Sequence, residues 1–383
     1  MSLCRKIPTV LGLLLTAFTA LVMLHTVTAP LFEAPDEIWH YAYVRWIAEG
    51  HGLPSMADDS SGANQEVAQP PLYYAVSALL SAPFDDSDRH DLSWHNPGFG
   101  YQAPGTTADN KNMLIHTERE GWPWQGAVLA IHVARLASLL FGLLTVIAAW
   151  GLGWETFRSQ KAALFTAALV AFHPQFVFIS SVVSNDSSAA ALATAALWSM
   201  ARILRQGITL KRALLTGTLS GLAILTKTSM LPLLPLLVVV LIWAGWQQKA
   251  KRNQLLAALL SYGMGALVVG GWWYIRNVVL YGNGDTNGAW AGLMGDSPVR
   301  VVRGTVEIGD RALTGQDLAC VFIRPRPESD RASVAAVSGS GLTGLRLTDR
   351  LPYFTSGAAY PDCLVLAPDS LSAGVAGVRV AGY

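Results

Sequence analysis

The residues best placed to do chemistry are Asp36, Glu37 and His40, in the stretch Glu33-Ala34-Pro35-Asp36-Glu37-Ile38-Trp39-His40. An uncharged run from Pro8 to Pro30 precedes them and is long enough to cross a bilayer. Carboxylates just beyond such a run are costly unless they have partners or a task. Pro35 suits the first position of a helix, which puts Asp36 and Glu37 in its first turn. His40 follows Asp36 by one helical turn and shares its face, where it can orient the carboxylate or hold a metal ion. The bland alternative is a pair of helix-start acids, each stabilising the helix dipole by about 0.3–1 kcal/mol.

The rest of the chain has to position these groups. It is 52% hydrophobic and 14% charged, against about 25% charged in a soluble domain. The reading is an all-α polytopic membrane protein with a small soluble appendage. Arg5 and Lys6 ahead of the first span put the N-terminus in the cytoplasm. The loop from Leu31 to Trp124 holds 14 acids against 4 bases, which makes it external. Within it, Gln69-Pro70-Pro71-Leu72-Tyr73-Tyr74 opens an apolar run to Phe84 that is too short to span and reads as a re-entrant or interfacial helix, with both tyrosines as interfacial anchors.

Hydropathy places further spans at Ala127–Trp154, Ala162–Val183 (interrupted at His173-Pro174), Ser188–Ile203, Ala213–Leu225, Met230–Trp246 and Leu255–Tyr274. With the first, that makes about seven. Every cytoplasmic turn in this scheme is basic, and Asp36, Glu37, Asp186, Lys227 and Arg276 all fall on the outer side. Each has a plain reading too. Asn185-Asp186 can cap a helix, and Lys227 and Arg276 can snorkel to lipid head groups. The basic residues are used up by cytoplasmic turns, which argues against nucleic-acid binding. Cys4, Cys320 and Cys363 are too few and scattered for a disulfide framework or a zinc site.

Taken in order, Pro35-Asp36-Glu37 with His40, Gln69-Pro70-Pro71-Leu72-Tyr73-Tyr74, His173-Pro174-Gln175, Asn185-Asp186, Thr226-Lys227 and Trp272-Trp273-Tyr274-Ile275-Arg276-Asn277 with Tyr281-Gly282-Asn283 resemble GT-C membrane glycosyltransferases. The similarity is to the protein O-mannosyltransferase and aminoarabinose transferase group and related bacterial membrane proteins, over about residues 8–283. It implies transfer of a sugar from a polyprenyl-phosphate donor to a glycan, lipid or protein acceptor at the outer membrane face. It places the catalytic carboxylate at Asp36 with Glu37 as its neighbour. His40, Asp186, Lys227 and Arg276 would then bind substrate or phosphate. A carboxylate there can take the acceptor's proton, and cations can stabilise the departing phosphate. No cofactor is implied beyond the donor substrate, and a divalent metal is not indicated. The implied location is a bacterial inner membrane.

Relatives of this kind carry further spans, so the GT-C-like part is expected to be truncated. Residues 284–298 read as a linker, and 299–383 as an incomplete α/β appendage. Its strand-like pieces are Leu318–Ile323, Ser333–Val337 and Leu364–Leu366. It weakly resembles a fragment of a secreted α/β hydrolase, without a Gly-x-Ser-x-Gly elbow. Two rival functions stand beside transfer. A transporter or flippase would show inverted repeats and broken helices near the midplane. A non-catalytic envelope-assembly protein is the second rival, and the expected truncation after seven spans is the best argument for it.

Overall fold

The computed structural model describes residues 9–55, 59–96, 112–281, 298–325, 333–348 and 362–382. The chain divides into a helical unit, Met1–Asn96 with Met113–Gly288, and a second unit that includes Ala289–Tyr383. Apart from Pro298, the expected linker at 284–298 lies outside the described residues, as do Asn283 and Cys4.

The helical unit opens with α1 (Thr9–Thr28). The loop that follows carries α2 (Glu37–Ala48) and α3 (Leu72–Ser81), with short 3-10 turns between and after them. Then come α4 (Gly126–Phe157), α5 (Gln160–Ala171), α6 (Pro174–Ile179), α7 (Asp186–Gln206), α8 (Leu210–Ile224), α9 (Leu233–Gln247), α10 (Arg252–Ala266) and α11 (Trp272–Tyr281). A π-helical segment, Leu267–Gly271, joins α10 to α11.

Among the described residues, five helical stretches are long and apolar enough to cross a membrane: 9–28, 126–157, 186–206, 228–247 and 252–280. The other two segments expected as spans are shorter. Pro174 has no N–H for helix pairing and takes the first position of α6, so the third segment is broken at His173. α8 has 15 residues, about 22 Å at 1.5 Å per residue. Large apolar side chains such as Leu144, Phe165, Val239, Leu260 and Val279 stand exposed along these helices. That is costly against water and unremarkable against lipid. The protein is a multi-pass membrane protein.

α4 is the hub and packs on α1, α3, α5 and α7. α8 crosses α10 closely because Gly217 and Gly265 put no side chain between the two backbones. One hydrophobic cluster ties α2, α3 and α4 together through Tyr43, Tyr73, Tyr74, Ile131 and Val183. This cluster is the floor on which the polar residues of the loop stand.

In the second unit, β1 (Val299–Val302), β2 (Thr305–Ile308) and β3 (Arg311–Thr314) form an antiparallel meander. A four-stranded sheet of order β5-β4-β6-β7 follows, with β4 at Ala319–Pro325, β5 at Ser333–Gly339, β6 at Cys363–Leu366 and β7 at Val378–Gly382. Two short helices accompany it, α12 (Leu342–Thr348) and α13 (Ser370–Ala373). The three strands expected from sequence are β4, β5 and β6, while the β1–β3 meander was not anticipated. All pairings among the described strands are antiparallel. An α/β hydrolase sheet is mostly parallel, so the topology lends no support to the hydrolase resemblance.

Candidate active site

The site is built on the start of α2. Asp36 is its N-cap and sits in the left-handed region at φ 60°, so the helix begins at Glu37, two residues later than Pro35 at its first position would predict. Asp tolerates this conformation better than most residues. The two acids part company here. The Asp36 side chain is exposed and accepts one hydrogen bond, from Gln65 Nε2 at 3.2 Å.

Glu37 is fully buried against a fully buried Arg135 from α4. Arg135 Nε and Nη2 donate to Oε1 and Oε2 of Glu37, each at 2.8 Å. The Val183 N–H donates to Oε1 at 2.8 Å and the Phe32 N–H to Oε2 at 3.1 Å. Arg135 spends its remaining donors on the carbonyls of Thr26, Ala29 and Pro30. Four segments of chain are thus tied at one point: the end of α1, the start of α2, the middle of α4 and the turn before α7. Glu37 has its oxygens committed and serves as a clamp beneath Asp36.

His40 lies one turn further along α2 and is 6% exposed. Its Nδ1 is 2.8 Å from the Tyr74 hydroxyl. Tyr74 in turn donates to Glu66 Oε2 at 3.0 Å, and His40 Nδ1 also lies 3.2 Å from that oxygen. Tyr73 and Tyr74 are both fully buried, so neither is the interfacial anchor expected from sequence. A buried tyrosine hydroxyl needs a partner. Tyr73 finds Ser138 Oγ at 2.8 Å and the Ser184 N–H at 3.0 Å.

Lys227, just beyond α8, pairs with Asp186 at the first position of α7. Asn185, the N-cap of α7, is buried and reaches Gln69 Oε1, Tyr74 Oη and the Thr226 carbonyl, each at 3.4 Å. The charges of Asp36, Lys227 and Asp186 all act on Glu66, and those of Lys227 and Asp186 act on His40. The fold therefore gathers Asp36, His40, Glu66, Asp186 and Lys227 into one polar group above the Glu37–Arg135 clamp. Arg276 is engaged elsewhere. Its Nη2 donates to the carbonyls of Leu53 and Pro54, its Nη1 to Asn277 Oδ1, and its guanidinium lies 4.8 Å over Trp273. It holds the chain after α2. Among the described residues no group of three or more His, Cys, Asp or Glu side chains is arranged to hold a metal ion.

Burial sets the charge states. It pushes His40 down from 6.5 to about 4, with Lys227 adding to the effect and Asp186 opposing it. It pushes Glu66 up from 4.5 to about 7, against the Tyr74 hydrogen bond. Both are therefore neutral between about pH 4 and 7, with opposite consequences for stability. The Glu66 contribution is full below pH 4.5 and is lost as pH rises to about 7. The His40 contribution is full above pH 6.5 and is lost as pH falls to about 4. Between pH 4.5 and 6.5 the two slopes cancel. Glu66→Gln removes one of them, so this variant is expected to lose stability on acidification from pH 6.5 to 4.5 more steeply than the wild type. Thermal unfolding across that window checks it. Parallel profiles for the two proteins would show that these groups do not titrate as described.

Two residues of this arrangement were passed over in the sequence. Glu66 looks like one acid among many in an acidic loop, and only tertiary packing under Tyr74 marks it out. Arg135 did carry a signal. A lone arginine within a long apolar helix is expected to face inward and find a partner.

Residues 128–273 match the family described as dolichyl-phosphate-mannose-protein mannosyltransferase. That stretch includes Arg135, Asp186 and Lys227, while Asp36, Glu37, His40, Glu66 and Arg276 lie outside it. Among solved structures, the S. cerevisiae protein O-mannosyltransferase Pmt1–Pmt2 complex bound to the sugar donor aligns over 96% of this chain, with 14% identity and a TM-score of 0.47. The chain spans 46% of the length of that protein. No curated protein sequence matches it.

Proposed function

We propose, from the resemblance of residues 128–273 to the mannosyltransferase family, that this membrane protein is a glycosyltransferase using a polyprenyl-phosphate sugar. The observation that carries the reading is that an exposed carboxylate, Asp36, and the Lys227 ammonium, itself paired with Asp186, both act on Glu66 in one polar group. The rigid clamp of Glu37 and Arg135 supports that group from below. In the proposed reaction an acceptor hydroxyl attacks the anomeric carbon of the sugar. The bond from that carbon to the phosphate oxygen breaks, and polyprenyl phosphate leaves with the electron pair. Asp36 takes the hydroxyl proton. Lys227 has three donors, of which Asp186 engages one, and the others can meet the developing phosphate charge. His40, Glu66 and Tyr74 form the buried wall that fixes the start of α2.

In this reading the acidic loop that carries Asp36 faces the external side of a bacterial inner membrane, and Asp186 and Lys227 with it. In intact cells a Ser87→Cys variant is expected to react with an impermeant thiol reagent, Ser87 being exposed. Labelling only after lysis would place the site on the cytoplasmic side and exclude an external acceptor. The donor role of Lys227 is tested by Lys227→Met. A hydrogen bond to a charged group is worth about 1.5–3 kcal/mol, so the KM for a polyprenyl-phosphate-linked hexose is expected to rise by about tenfold or more. An unchanged KM and kcat would leave Lys227 as the partner of Asp186 and nothing more.

A further inference from the structure

We propose that the chain carries a second ligand site, a saccharide-binding cavity on the opposite face of α2 from His40. The cavity has a volume of about 620 Å³, within the range of about 300–1,000 Å³ usual for small-molecule sites. Ile38, Ala42, Arg45 and Glu49 recur at helical spacing along its α2 wall. Glu37, His40 and Val44 lie on the other face of the same helix and are buried. Segments 60–62 and 89–93 contribute the remaining walls. The cavity is therefore made by the loop between α1 and α4 and not by the spans.

The wall chemistry narrows the ligand class. Asp86 is 2% exposed beneath the cavity and anchors Arg45 Nε at 2.7 Å, Arg89 Nη1 at 3.6 Å and the Tyr41 hydroxyl at 3.0 Å. Glu49 accepts from Arg89 at 3.0 Å and lies 3.5 Å from His51 Nε2. Two guanidinium groups thus face two carboxylates, and the network is neutral overall. Such a wall does not favour an anion. It offers charge-assisted donors and acceptors side by side, the pattern that recognises adjacent hydroxyls. Arg45 Nη1 and Trp46 Nε1 are buried donors with no acceptor among the described residues.

Two indoles complete the lining. Trp46 is covered on one side by His51, with ring centres 4.5 Å apart. Trp39 has no ring partner among the described residues. A half-buried indole without a ring partner, beside paired donors and acceptors, fits the C–H face and hydroxyl edge of a mono- or disaccharide. Identifying that saccharide as part of the acceptor rests on the transferase reading. Saccharide binding itself does not.

The test uses the purified full chain with maltose, cellobiose and N,N′-diacetylchitobiose as probes, and ligand-observed saturation-transfer NMR as the readout. At least one probe is expected to bind saturably. Trp39→Leu and Arg89→Gln are each expected to weaken that binding by about tenfold, or about 1.4 kcal/mol. Trp39→Phe retains a ring and should retain most of the binding, which separates loss of the platform from loss of the fold. Asp36→Asn should leave binding unchanged. Saturable binding lost in Trp39→Leu would support the cavity even where no sugar transfer occurs, and the transferase reading alone would then fail. Three results would overturn the cavity: no probe binding, binding indifferent to both Trp39→Leu and Arg89→Gln, or a Ser/Thr tetrapeptide and no saccharide binding in a Trp39-dependent way.

Discussion

Arg135→Met is expected to destabilise the helical unit by about 3–5 kcal/mol, the cost of leaving one member of a buried ion pair uncompensated. The expectation follows from the completeness of the pair. Both side chains are fully buried, and the guanidinium meets the carboxylate through two hydrogen bonds of 2.8 Å. Without Arg135, Glu37 would be a carboxylate in an apolar interior with only the N–H groups of Phe32 and Val183 for support. The carbonyls of Thr26, Ala29 and Pro30 would lose their donors as well. Arg135→Lys is not a mild change here, because an ammonium cannot reproduce the two-pronged contact. The double variant Glu37→Gln with Arg135→Met removes both charges. It should be more stable than the sum of the single changes predicts, since residues in contact couple by about 0.5–3 kcal/mol. Thermal unfolding of the purified wild-type chain, the three single variants and the double variant measures these effects. A loss below about 1 kcal/mol for Arg135→Met would mean that the pair is not buried as described.

Asp36→Asn is expected to abolish transfer while leaving the fold intact. Loss of a positioned base costs about 10²–10⁴ in rate. The structural cost is small, because Asp36 is exposed, makes one side-chain hydrogen bond, and Asn also tolerates the left-handed region. Asn retains an oxygen to accept from Gln65 but cannot take a proton. The adjacent Glu37→Gln should behave in the opposite sense and lose membrane yield together with activity. Normal yield and near-normal donor binding with transfer lost is the expected pattern for Asp36→Asn. Transfer kept within a few-fold would leave Asp36 as a helix-start acid.

The contrast between these two neighbours shows where sequence reading runs out. Asp36 caps α2 in a left-handed conformation while Glu37 opens the helix, so one acid of the pair faces the surface and the other the core. Nothing in Pro35-Asp36-Glu37 says which. Hydropathy made the helices legible, including the break at His173-Pro174, because spans are local and long. The polar group was legible in part. Asp36, His40, Asp186 and Lys227 stood at one membrane face in the sequence, and the fold gathers them. Arg276 stood at the same face, but lateral position around the helices is not written in hydropathy, and it serves the loop at Leu53–Pro54 instead. Glu66 became visible only when Tyr74 proved buried and in need of an acceptor. The cavity behind α2 depends on three segments meeting, which no local pattern reports.

Asp36 and Lys227 are proposed to transfer a sugar from a polyprenyl-phosphate donor. The most direct measurement of that transfer is release of free polyprenyl phosphate by the full chain, reconstituted in liposomes that contain a radiolabelled polyprenyl-phosphate hexose. Acceptor-dependent release by the wild-type chain is expected, lowered by at least about 10² in Asp36→Asn. Release that proceeds equally in Asp36→Asn, or a folded wild-type chain that binds the donor and never releases polyprenyl phosphate with glycan, lipid or peptide acceptors, would contradict these roles.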